Sequence, residues 1–80
     1  MTNQKMTHTE IKFMTSRIYE LCKILYGKEF DVIYPKSKLE FSKWINEKTG
    51  LTESILLDPI KATVSWYERL EQLHNNLKRS

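Results

Sequence analysis

Residues 49–59 read Thr49-Gly50-Leu51-Thr52-Glu53-Ser54-Ile55-Leu56-Leu57-Asp58-Pro59. The reading of this stretch decides the fold. Gly50 lies just past an apolar pattern of helical spacing and can take the left-handed conformation that closes a helix. Asp58-Pro59 is a restart signal: the aspartate caps free N–H groups, and the proline sits in a first turn where no N–H is needed. Between them, Thr52 is placed to cap a short helical turn over 52–57. The stretch is an elbow between two helices, and the chain divides on either side of it.

Forward of the elbow, a long helix is predicted over about 59–77. Ile60, Val64, Tyr67, Leu70, His74 and Leu77 lie close to one face, with Leu73 beside them. Backward, a helix is predicted over about 38–48. Ser37 and Glu40 have capping-box spacing at its start, and Leu39, Phe41, Trp44 and Ile45 supply its buried side. A first helix is predicted over about 9–26. Thr7 and Glu10 repeat the capping-box spacing, and Ile11, Met14, Ile18, Leu21, Cys22 and Leu25 form one stripe that Gly27 ends. Segment 28–36 alternates, with Phe30, Val32 and Tyr34 on one side, and Tyr34 precedes a proline. It reads as an extended loop whose Phe30 and Val32 plug the core. A short strand pairing with a second subunit is the lesser reading. The expected fold is all-α: a small bundle of three main helices in one domain of 80 residues, with residues 1–6 as a flexible N-terminal tail. If the two long helices are antiparallel, His8 comes near His74.

Composition agrees. Two glycines and two prolines are too few for a sandwich or barrel, which needs a turn every 8–12 residues or so. Nine aromatic residues argue against disorder. No apolar run approaches the ~20 residues that span a bilayer, so a cytoplasmic protein without membrane contact is expected. The small size and the lysine-, isoleucine- and tyrosine-rich composition would suit a phage or plasmid protein.

The residues give little support to catalysis. Cys22 lies within an apolar stripe with no base placed to form its thiolate. Two histidines without a carboxylate motif make a poor metal site. The acidic residues are spread singly, and a glycine-rich phosphate loop needs more than two glycines. The chain is expected to be no enzyme and to hold no cofactor or metal.

Nucleic acid is the second possibility weighed. Phe41 and Ile45, then Gly50, Leu51 and Leu56, give residues 39–60 an outline that resembles the helix-turn-helix superfamily. The resemblance implies that Thr52, Glu53 and Ser54 touch bases, with Leu57 at the rim; a DNA reading would add Lys43 and Lys48 as the flanking lysines. Three features depart from it. Asn46 stands where the family has a small residue, Pro59 shortens the reading helix, and residues 37–58 hold three lysines against four carboxylates. Phosphate neutralisation supplies most non-specific DNA affinity. The excess positive charge behind the overall +3 lies in the flanks instead.

Contact with a protein is therefore the favoured function, as a regulator or inhibitor of something larger. The aromatic surplus motivates it, since rings with a polar handle anchor interfaces. Phe13, Tyr19, Tyr26, Tyr34 and Trp66 are the candidate interface residues. A homodimer through the C-terminal helix is one version, because its stripe runs almost to the chain end.

Overall fold

The computed structural model describes residues 7–52, 55 and 57–79. Of these, 83% are helical and none is in a strand, so the fold is a small all-α bundle. The helices are α1 (His8–Tyr26), α2 (Lys28–Ile33), α3 (Lys38–Thr49) and α4 (Pro59–Arg79). The predicted tail at 1–6 lies outside the described residues. So do Glu53, Ser54 and Leu56 of the expected turn at 52–57.

The caps form at the expected residues, with the reciprocal capping box shown at Thr7–Glu10 and the hydroxyl half of it at Ser37. The Thr7 hydroxyl accepts from the Glu10 amide at 3.1 Å, and the Glu10 carboxylate accepts from the Thr7 amide at 2.9 Å. The Ser37 hydroxyl accepts from the Glu40 amide, and Asp58 accepts from the Lys61 amide at 3.0 Å. Gly50 closes α3 at φ 72°, where a Cβ would be strained.

The core comprises Ile18, Leu21, Cys22, Phe30, Phe41, Trp44, Ile45, Ala62, Trp66 and Leu70. The α1 stripe is as expected. Three other expectations change.

Residues 28–33 are helical rather than extended. Gly27, at φ 55°, lets the chain turn and restart at once. A helix satisfies the backbone groups of a segment that has no strand to pair with. It also separates Phe30 from Val32 by about 200°. Phe30 is 7% exposed and Val32 64% exposed, so only the first plugs the core.

The buried face of α4 is centred on Ala62, Thr63, Trp66 and Leu70. That is a turn of roughly 60° from the large-aliphatic stripe. Small Ala62 and Thr63 allow close approach, a property that the large aliphatics outweigh in the pattern. Ile60 and Leu77 consequently remain exposed, as does Leu39 in the first turn of α3.

The long helices run in the same direction. The Phe13 ring lies 6.5 Å from that of Tyr67, and four residues further along both helices Arg17 holds Glu71 at 3.0 Å. Only short connections force neighbouring helices to be antiparallel, and residues 27–58 intervene here. By this register His8 is level with Ala62, and His74 lies roughly 18 Å further along α4. The two histidines do not meet.

Helix α2 packs between α1 and α3, and α4 packs against both α1 and α3. Because α2 is short, it fills only one end of the gap between α1 and α3.

Candidate contact groove

The unfilled end of that gap is a groove of about 230 Å³. Its α1 wall is Ile11, Thr15, Ile18 and Tyr19; its other walls are Phe41 and Lys38 of α3 and Ile55, Pro59, Ile60, Thr63 and Trp66. The helix starts build it. The capped first turns of α3 and α4 bring Lys38, Pro59 and Ile60 to the same end of the bundle as the N-terminal half of α1.

The floor is buried. Trp66 is 3% exposed, and its indole N–H donates to Asn46 Oδ1 at 2.7 Å. Phe41 meets the Trp66 ring edge-on at 6.5 Å and the Tyr19 ring at 5.5 Å. Ile60, at the lip, is 44% exposed. The Thr63 hydroxyl donates to the Pro59 carbonyl at 2.8 Å. Lys38 forms no ion pair with a described residue.

The five candidate interface residues do not share one surface. Trp66 is core, which corrects its assignment: the turned face of α4 carries it inward. Tyr19 is half-buried in the groove wall, and Tyr34, exposed, meets it edge-on at 5.2 Å. Burial raises the pKa of the Tyr19 hydroxyl above the usual tyrosine value, and the neighbouring Tyr34 adds to this. Tyr26 is half-buried against Trp44 at 5.3 Å, with the Lys48 ammonium 5.7 Å from its ring centre. Phe13 is 61% exposed, but on the opposite side of α1 beside Tyr67.

The residues singled out for DNA separate in the same way. Lys48 is held by Glu29 at 2.7 Å, and Glu29 also accepts from the Trp44 indole at 2.9 Å. These bonds from Lys48 and Trp44 hold the Glu29 carboxyl below its ordinary pKa. Lys43 and Thr52 are exposed. Glu53 and Ser54 lie outside the described residues. Gly50 is followed by irregular backbone, with no helix assigned among the described residues before α4.

Burial pushes the Cys22 thiol up to about 12. Among the described residues no three histidine, cysteine or acidic side chains gather as a metal-binding group. No described helix is long and apolar enough to cross a membrane. No known protein family, curated protein or solved structure matches this chain.

The sequence reading missed Ile11, Thr15, Lys38 and Ile60 as a set. Each stands near the start of a helix, but only parallel packing of α1 and α4 brings those starts together. Asn46 did leave a signal. It departed from the helix-turn-helix pattern, and it is the acceptor that fixes Trp66.

Proposed function

We propose that this protein acts by contact, as a small regulator that docks on a larger protein through the groove between α1, α3 and α4. The observation that carries the reading is the open, apolar-walled cleft over a buried aromatic floor. Its volume lies below the ~300–1,000 Å³ of small-molecule pockets. It suits anchor side chains from a partner, inserted among half-buried rings. Tyr19 and Tyr34 extend the same surface beyond the lip, and each offers a hydroxyl at its edge.

The test compares affinity capture from host cells by the wild-type chain, Ile60→Asp and Phe13→Ala, with and without nuclease. Ile60 lines the groove and is half-exposed, so a carboxylate there blocks the cleft without opening the core. The expected result is a nuclease-resistant protein retained by wild type and Phe13→Ala but lost with Ile60→Asp, at similar melting temperatures. Retention by all three chains, Ile60→Asp included, refutes the groove. Recovery of nucleic acid alone, abolished by nuclease, refutes the protein-contact reading.

A further inference from the structure

The groove's chemistry identifies the class of segment that fills it. We infer that its occupant is an amphipathic helix of the partner protein, with apolar side chains directed inward and carboxylates flanking them. The inference rests on the contact reading above and specifies it.

Geometry sets the shape. From Ile11 to Tyr19 the α1 wall rises about 12 Å, two turns of helix. That length matches apolar anchors at positions i, i+4 and i+7 of a docked helix. The other common modes of peptide capture lack their requirements. Strand addition needs a sheet edge, and the described residues contain no strand. A polyproline segment docks on aromatic grooves, but here both indole donors are committed, Trp44 to Glu29 and Trp66 to Asn46. Phosphate recognition needs clustered arginines. Arg17 is held by Glu71 and Glu20, and Arg69 donates to the Thr49 carbonyl and to Gln72.

Charge sets the sign. Lys38 is the only charged side chain in the described lining. Lys12 shares the α1 face of Thr15 and Tyr19 by helical spacing, and it too has no ion pair with a described residue. Among the described residues, the carboxylates nearest this rim in sequence are engaged in caps or turned away, Asp58 accepting from the Lys61 amide. Glu10 is bonded to the Thr7 cap, and Glu40, two residues from Lys38, lies about 200° around α3. An apolar floor with Lys38 on its lining and Lys12 on the same face of α1, neither ion-paired with a described residue, is complementary to apolar anchors flanked by carboxylates.

The experiment uses two stapled helical 14-residue peptides with identical leucines at i, i+4 and i+7. One carries flanking glutamates and the other flanking lysines. Binding is followed by fluorescence anisotropy and by amide shifts of the labelled protein. The glutamate peptide is expected to shift Ile11, Thr15, Tyr19, Lys38 and Ile60, and to bind roughly tenfold more tightly than the lysine peptide. Lys38→Glu should weaken it roughly tenfold, while Lys43→Glu, the same charge change on an outward face of α3, stays within about twofold. Added salt should weaken the wild-type complex.

Equal affinity for both peptides overturns the inference, as do shifts confined to Phe13 and Tyr67, or no binding at all. A dimer of the chain in sedimentation equilibrium that Ile60→Asp dissolves overturns it too, because a second copy then fills the cleft. If the peptides fail while capture still depends on Ile60, the docked segment is not an acidic helix and the contact function stands. If capture is also indifferent to Ile60, both fall.

Discussion

The pair Phe30→Ala and Val32→Ala tests the architecture that leaves the groove open. In an extended segment the two side chains share a side, and each truncation would remove core packing. In helix α2 they point apart. Phe30 is buried among the rings of Tyr19, Tyr34, Phe41 and Trp44, at centroid distances of 5.3–6.5 Å. Truncating a buried phenylalanine costs about 3–5 kcal/mol. Phe30 is the one buried residue of α2, so α2 can detach once the ring is lost. Detachment limits the cost to what α2 contributes, and the lower half of that range is expected. Val32 loses only the shielded third of its methyl groups, about 0.6 kcal/mol. The better helix propensity of alanine returns about as much. Its net effect is therefore within about 0.5 kcal/mol of zero. An 80-residue domain has roughly 4–12 kcal/mol of stability, so Phe30→Ala removes a large share of it, a loss read by urea unfolding followed by circular dichroism at 10 °C. Its melting temperature should fall by roughly 12–32 °C, while that of Val32→Ala moves by a few degrees at most. Similar losses in both variants would refute the helix and restore an extended plug.

Three further outcomes follow from the core and the α1–α4 seam. Ser42 is buried in α3 and its hydroxyl has no hydrogen-bond partner among the described residues, so Ser42→Ala should raise stability by about 0.5–1 kcal/mol in urea titrations; a loss of stability would mean that the hydroxyl is satisfied. Cys22, with its thiol near pKa 12 and no exposed surface, should resist an aromatic disulfide reagent at pH 8 until urea unfolds the chain, and rapid labelling of the native protein would contradict its burial. Arg17 holds the Glu71 carboxyl below its ordinary value of 4.5. A depressed folded pKa gives stability that is present above the unfolded pKa and lost as pH falls through the folded one. The wild-type melting temperature should thus drop below about pH 4.5, and Glu71→Gln should flatten that drop; an unchanged slope would remove Glu71 from the linkage.

Much of the fold was legible because it is written in local chemistry. Thr7 with Glu10, Ser37, Gly50 and Asp58-Pro59 set helix ends through bonds a few residues long, and these were read correctly. The α1 stripe was equally plain, since its large aliphatics are the residues that become buried. Reading failed where burial depends on a distant element. Trp66 looked peripheral to a stripe of Ile60, Val64 and Tyr67, but Asn46 of α3 accepts from its indole, and α4 turns to bury it. Phe30 and Val32 alternate as a strand would. With no strand to pair with, the segment satisfies its backbone groups as a helix, which the alternation conceals.

The groove follows from the same distinction. No pattern in the sequence marks its residues as a set. Ile11 and Ile60 belong to ordinary amphipathic patterns, and Lys38 is one of several lysines. They form a site because α1 and α4 run in the same direction and because α2 is a six-residue helix, too short to cover the whole α1–α3 gap. A longer α2, or an antiparallel α4, would bury Ile60 or separate it from Ile11. The candidate site is thus a property of how the helices are joined. Phe30 and Ile60 report on its two ends: one shows that α2 fills its part of the gap, the other that the remainder stays open. The groove reading therefore requires that Phe30→Ala lose stability, and that Ile60→Asp retain stability while losing the captured protein.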